Sequence, residues 1–218
     1  MKKVITILHH FAPICIVLLA ALALAGCSLL GSAEVTKADV VFLGDSITSG
    51  YYLPDPHDPW ACKLLERFGP VSISGNAYIG KMIFENAGIG GNTTSQMLDR
   101  LRHDVLSFDP KRVFVLAGVN DIAGGSSVAD VEGHLTRIYD DCEASGAAVI
   151  ACTLTPWPGG TPQEQAEIVQ INAWIRVGTL PVVDFYSANP EISPIDKIHP
   201  TANGNTTMAD TVNLALIQ

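Results

Sequence analysis

Residues 40–50 read VVFLGDSITSG. An apolar run stops at a glycine, and an aspartate and a serine follow at once. Such a run, rich in Val and Phe and closed by turn residues, is the pattern of a buried strand. Ser46 then has two readings, a helix cap or a nucleophile held at the tip of a strand. The stretch alone does not choose between them. A nucleophile needs partners, and they must come from elsewhere in the chain.

Working outward, residues 39–43 are the first of five strand-like runs. The others are MIFENA at 82–87, RVFVLA at 112–117, AAVIACTL at 147–154 and LPVVDFY at 180–186. Helical patterns fall between them. Val128, Val131, Leu135, Ile138 and Cys142 recur at three- and four-residue steps and form one apolar stripe. Ser127 caps that helix and Gly146 ends it. Thr161-Pro162-Gln163-Glu164 is a capping box with proline in the first turn, and Ile168, Ile171 and Ile175 follow on one face. Thr94 is placed as the cap of a helix carrying Met97, Leu98 and Leu101, and a last helix is expected over 202–216. Strands alternating with helices predict an α/β fold, a parallel five-stranded sheet covered on both faces. Such sheets bind ligands outside the C-terminal ends of their strands.

The N-terminus has the physics of an export signal: Lys2 and Lys3, then an apolar run over 11–26 closed by small residues. The run is short for a membrane span, which takes about 20 apolar residues. Leu24-Ala25-Gly26-Cys27 resembles the lipobox of bacterial lipoproteins, in which the chain is cut before a cysteine that carries lipid. That resemblance implies a signal peptide over 1–26, a lipid-anchored linker over 27–38 and one domain over 39–218. It also implies a place in the bacterial cell envelope, tethered to a membrane through Cys27. The 218 residues carry a formal charge of −9 with no apparent basic patch, which argues against nucleic acid as a partner. One compact domain of this size has room for a sizeable core, and a monomer is expected. No CxxC occurs, so neither a zinc knuckle nor a thioredoxin-like motif is supported. Of the cysteines after Cys27, Cys142 and Cys152 read as small buried hydrophobes, and any pairing with Cys62 stays open.

The residues that could carry chemistry follow the predicted strands. Among six histidines, His9 and His10 fall in the leader, His57 in an exposed loop, and His103 and His134 on helix surfaces. His199 stands three residues after Asp196 in DKIHP, before the last helix. A carboxylate at that spacing can bind one ring nitrogen and leave the other for Ser46. The alternative is that both residues merely decorate a loop. GIGGNTT at 88–94 offers the backbone N–H of Gly91, and AGVND at 117–121 offers the amide of Asn120, as donors for an oxyanion. Taken singly, these are a glycine turn and an Asx-turn.

Together, GDSIT, GIGGNT, GVND and DxxH resemble, in order and spacing, the four blocks of the SGNH hydrolases, also called GDSL-type lipases and esterases. The likeness spans residues 39 to about 210. It implies a flavodoxin-like three-layer α/β/α sandwich and an ester hydrolase with no cofactor and no metal requirement. By that resemblance Ser46 is the nucleophile, His199 the base and Asp196 its orienting group. Ser46 N–H, Gly91 N–H and the Asn120 side chain would form the oxyanion hole. Asn92 stands where many members have aspartate, which puts the hydrogen bonding of the second block in question.

Rival readings are weaker. G-x-S-x-G is absent from the chain. A metallophosphoesterase would use Asp45, Asn120, Asp121 and His199 as ligands, but it would add a histidine near each turn, and neither GDSIT nor GVND has one. A non-catalytic envelope binding protein would have little reason to keep every chemical position filled. The substrate stays open among carboxylic esters: lipid and lysophospholipid esters, acetylated sugars and thioesters. Trp157, in the stiff TPWPGGTP loop, is read either as a wall of an acyl or sugar pocket or as a surface loop anchor, and residues 51–60 are placed on the leaving-group side.

Overall fold

The computed structural model describes residues 36–218; the leader and Cys27 lie outside the described residues. Strand β1 (Val40–Gly44) is buried along its whole length. It runs parallel to β4 (Ile83–Gly88) on one side and to β5 (Arg112–Leu116) on the other. Beyond β5 lie β6 (Ala148–Cys152) and the two-residue β7 (Val182–Val183), also parallel. These are the five expected strands, each within a few residues of its predicted bounds. In chain order among themselves they stand 2-1-3-4-5, the flavodoxin order. A hairpin not expected from the sequence, β2 (Ser72–Ser74) and β3 (Ala77–Ile79), adds antiparallel to β4 and brings the sheet to seven strands. Its strands of three residues, with Ser, Gly and Asn at the turn, carry too little apolar pattern to read.

Helices cover both faces. On one side α2 (Trp60–Glu66) packs against α8 (Ala202–Thr211), with the short α7 (Phe185–Ala188) beside them. Phe42 lies under this layer, 4.8 Å from Trp60 edge-to-face, with Phe84 and Phe114 at 5.1 and 5.0 Å. Trp60 is fully buried and also meets Phe185 at 5.1 Å. Removing so large a core ring costs about 3–5 kcal/mol. On the other side α3 (Thr94–Asp104) packs on α5 (Val128–Ala144), and α5 on α6 (Pro162–Val177). Ser127 and Thr161 are the expected caps, the latter in a capping box with Glu164. For α3 the cap is Thr93 rather than Thr94, because Thr93 accepts from the Gln96 N–H and Gln96 answers with its side chain. The last helix stops at Thr211, with a 3-10 turn at Leu214–Leu216. Cys62, Cys142 and Cys152 are buried and form no disulfide among the described residues. Burial lifts the Cys142 thiol to about 12. No helix among the described residues is long and apolar enough to cross a membrane.

Candidate active site

The switch point of the sheet, where the connections from the adjacent strands β1 and β5 run in opposite directions, gathers the candidate residues. Ser46 opens α1 (Ser46–Ser49) directly beyond β1 and is 7% exposed. Asp45 caps that turn, its Oδ1 accepting from the Ile47 N–H at 2.9 Å. Two glycines let the turn sit against the sheet. A Cβ on Gly44 would lie 2.1 Å from Thr48 Oγ1, and one on Gly88 would lie 2.3 Å from the Ser49 nitrogen. Asn86, buried on β4, closes the arrangement: its Nδ2 donates to the Thr48 carbonyl at 2.9 Å and to Tyr78 Oη at 3.0 Å. The turn is therefore held by close approach at Gly44 and Gly88 and by the Asn86 side chain.

Across from it, the chain between α7 and α8 brings in the imidazole. His199 Nε2 lies 2.9 Å from Ser46 Oγ, and Nδ1 lies 3.0 Å from Asp196 Oδ2. A carboxylate only accepts, so Nδ1 carries the hydrogen and Nε2 presents a lone pair to the serine hydroxyl. Asp196 Oδ1 accepts from the N–H groups of Ile198 and His199, both at 3.1 Å. Burial pushes the Asp196 carboxyl up, but these two N–H groups and the imidazole outweigh it and hold the group below its ordinary value. The segment is tied down from both ends. Gly159 N–H donates to the Lys197 carbonyl at 3.1 Å, and Ser193 N–H to the His199 carbonyl at 2.8 Å. Asn205, 1% exposed on α8, accepts from the Trp60 N–H at 3.0 Å and donates to the carbonyls of Pro200 and Thr201.

The candidate donors stand beyond the ends of the two neighbouring strands. The loop after β4 passes beside the serine, close enough that a Cβ on Gly90 would lie 3.9 Å from Ser46 Cβ. Gly91 has φ 77, in the left-handed region, with no heavy atom near its would-be Cβ; backbone conformation, not crowding, requires glycine there. Asn120, in α4 (Val119–Ala123) after β5, donates through Nδ2 to the Asn92 carbonyl at 3.0 Å and reaches Asp45 Oδ2 at 3.3 Å. Its amide is thus anchored to the loop that carries Gly91. Neither Ser46 N–H nor Gly91 N–H meets an acceptor among the described residues.

Several supporting residues escaped the sequence reading. Arg100 on α3 donates from Nε to Asn92 Oδ1 at 2.7 Å and from Nη2 to the Gly44 carbonyl at 3.0 Å. Asn92, which stands where the resemblance has aspartate in many members, is thus hydrogen-bonded through its side chain. Asp121, 2% exposed, accepts from Thr94 N–H and Oγ1 at 2.8 and 2.6 Å, which explains why Thr94 sits inside the helix rather than at its cap. His134, expected on a helix surface, is half-buried because its Nδ1 meets the same Thr94 hydroxyl at 3.1 Å. Asp45 is fully buried, which lifts its carboxyl to about 7; the Ile47 N–H opposes that rise and the charge of Asp121 adds to it. Trp157 is half-buried beneath its own Gly159–Gly160 turn, the turn that bonds to the Asp196 segment. Tyr51 and Tyr52 flank the imidazole, with centroids 5.5 and 5.7 Å from that of His199.

A doubly covered sheet in flavodoxin order, with serine, glycine and asparagine on three adjoining strand ends and an Asp-x-x-His segment facing them, defines an SGNH-type fold and site. The chain belongs to the GDSL-like Lipase/Acylhydrolase family, whose pattern matches residues 42–206. Over 85 residues it is 39% identical to an uncharacterized lipoprotein of Bacillus subtilis, YqeF; that match covers 39% of this chain and about a third (32%) of the relative. Among solved structures it is similar to a GDSL-like lipase of Bacteroides thetaiotaomicron, with TM-score 0.61, 23% identity and coverage of 90% of this chain and 96% of that one. It is also similar to Axe2, an acetylxylan esterase of Geobacillus stearothermophilus, with TM-score 0.65, 18% identity and coverage of 83% and 94%. At these identities the two structures speak to the fold.

Proposed function

We propose that the protein is a serine hydrolase of carboxylic esters that works through an acyl-enzyme on Ser46. The observation that carries this reading is the unbroken line from Ser46 Oγ to His199 Nε2 at 2.9 Å and from Nδ1 to Asp196 Oδ2 at 3.0 Å. Serine is a weak nucleophile until a base takes its proton, and the base must be held in the right tautomer. In this mechanism His199 removes the hydroxyl proton as Oγ attacks the ester carbonyl. Asp196 stabilises the imidazolium that forms. The tetrahedral oxyanion takes hydrogen bonds from Ser46 N–H, Gly91 N–H and the Asn120 amide, which exchanges its longer contact, 3.3 Å to Asp45 Oδ2, for the oxyanion. His199 then gives its proton to the leaving alcohol, and a water activated by the same imidazole releases the acid.

A fluorophosphonate probe tests the assignment. Covalent labelling at Ser46, lost in Ser46→Ala, is the expected result; labelling elsewhere, or none, would overturn it. Nitrophenyl esters of increasing chain length, with acetylated xylan alongside, then place the substrate among lipid and glycan esters. We further propose that residues 1–26 are removed on export and that Cys27 carries lipid, so that the domain works tethered in the cell envelope. The lipobox-like LAGC sequence and the lipoprotein relative support this reading. One acyl chain binds a bilayer weakly and several bind it firmly. Radiolabelled palmitate should therefore enter the wild-type chain and not Cys27→Ser.

A further inference from the structure

The loop that leaves the nucleophile turn and enters α2 brings three side chains of different chemistry to one point. His57 Nδ1 lies 2.7 Å from Glu66 Oε1 and 3.8 Å from Cys62 Sγ, and the three donor atoms lie within 4.8 Å of one another. We propose that His57, Cys62 and Glu66 bind a divalent transition metal of the zinc class, at a site separate from the reaction centre.

The local chain is organised for this. Cys62 and Glu66 are four residues apart on α2, so both project from one helical face. His57 comes from the preceding loop, seated by its own N–H on Asp55 Oδ1 at 2.9 Å, while Asp58 N–H closes a turn on the Asp55 carbonyl at 3.0 Å. The neighbouring cation Lys63 is neutralised by Asp58 at 2.9 Å. The imidazole nitrogen faces an oxygen and a sulfur at once, yet it offers one hydrogen or one lone pair. A hydrogen given to Glu66 leaves the sulfur a distant neighbour; a metal engages all three atoms together.

The nitrogen–sulfur spacing and the donor types agree with such a site. In a tetrahedral zinc site with Zn–N about 2.0 Å and Zn–S about 2.3 Å, nitrogen and sulfur stand about 3.5 Å apart, close to the spacing found here. The imidazole–carboxylate pair now has hydrogen-bond spacing and would open to about 3.3 Å when a metal replaces the shared proton. Thiolate with imidazole selects zinc-like ions over magnesium or calcium, which prefer oxygen alone. The side chains of His57 and Glu66 are 44% and 39% exposed, which gives an ion access and leaves a fourth position for water. The consequence reaches the active site by way of the loop. Residues 51–59 carry Tyr51 and Tyr52 beside His199, and a metal at their far end would pin that loop to α2.

Cobalt(II) titration of the metal-stripped full chain tests the site. The expected result is uptake of one equivalent with a near-ultraviolet thiolate-to-cobalt band, displaced by zinc and absent in Cys62→Ser. Because Cys62 is buried and its replacement disturbs the core, two variants at half-exposed side chains, His57→Ala and Glu66→Gln, should each weaken uptake at least ten-fold. Zinc should raise the Tm of the wild type and not that of His57→Ala. Wild type without the band, a band that survives in Cys62→Ser, or His57→Ala and Glu66→Gln that bind as tightly as wild type would each overturn the proposal.

Discussion

Two aspartates stand beside the two residues proposed to react, and their circumstances are opposite. Asp45 precedes Ser46 and is 1% exposed; burial lifts its carboxyl to about 7. Asp196 stands three residues before His199 with its side chain 27% exposed; despite partial burial, donors from Ile198, His199 and the imidazole hold it below its ordinary value. The contrast follows from how each half of the site is built. Ser46, Gly91 and Asn120 ride on strand ends, where the sheet fixes them, so Asp45 need only cap a turn and tolerates burial. His199 rides on a segment with no strand of its own beyond one isolated bridge, Ile192 to Pro200. Its position depends on hydrogen bonds, and in the proposed mechanism the carboxylate beside it must stay ionised. It is therefore kept near the rim and surrounded by donors.

If the two halves act as one unit, breaking either should cost as much as breaking both. Ser46→Ala and His199→Ala are each expected to lower kcat about 10⁴-fold or more, with the double variant no worse than the poorer single one. Steady-state kinetics on a nitrophenyl ester decide this, and losses that multiply would separate the halves. Asn120→Ala keeps both halves but removes an oxyanion donor, and kcat should fall about 10²- to 10³-fold with KM little changed. A KM effect without a kcat effect would instead make Asn120 a ground-state binding residue.

The same contrast explains what could be read from sequence. The strand-end half was legible because each of its parts sits within a few residues of an apolar run: GDSIT after β1, GIGGNT after β4, GVND after β5. The local chain there dictates geometry. His199 was legible as a candidate through its spacing from Asp196. The residues that hold its segment in place were not. Asn205 lies on the next helix with nothing in ANGNTT to mark it, and its partners Trp60 and Pro200 are a tertiary fact. Arg100 and Asn86 are likewise ordinary polar positions in helix and strand patterns until the fold brings Asn92 and the Thr48 carbonyl to them. The hairpin β2–β3 went unseen because three-residue strands leave no period to detect.

The pH dependence of stability sharpens the comparison of the aspartates. The folded value of Asp45, about 7, lies above its ordinary 3.8. Its contribution is therefore fully present below about pH 4 and is lost as pH rises through about 7. Asp196 runs the other way: its contribution is present above about pH 4 and is lost as pH falls through its lowered folded value. Between pH 5 and 8 the slope thus belongs to the nucleophile half. Urea denaturation should find wild type less stable at pH 8 than at pH 5. Asp45→Asn, which keeps an oxygen for the Ile47 N–H, should reduce that drop by on the order of 2 kcal/mol. Glu85, also lifted by burial, to about 6, leaves a residual slope in the variant. An unchanged slope in Asp45→Asn would place the buried proton elsewhere.

The smallest expected effect tests how well the strand-end half is insulated. Asn92→Asp puts a carboxylate on Arg100 Nε, where the neutral oxygen now sits at 2.7 Å. A charge-assisted bond is stronger than a neutral one. Two terms oppose the gain: the new carboxylate must leave water in a half-buried place, and Arg100 already shares its charge with Asp104 at 3.0 Å. The balance should be a gain of under about 1 kcal/mol, read as a rise in Tm of a few degrees. Catalysis should stay within two-fold of wild type, roughly the noise of such comparisons. The Asn92 group that meets Asn120 is its backbone carbonyl, and the guanidinium neutralises the added charge beside the oxyanion donors. A ten-fold loss of kcat with Tm preserved would mean that the charge is felt at the oxyanion, and that the sheet positions these donors without shielding them.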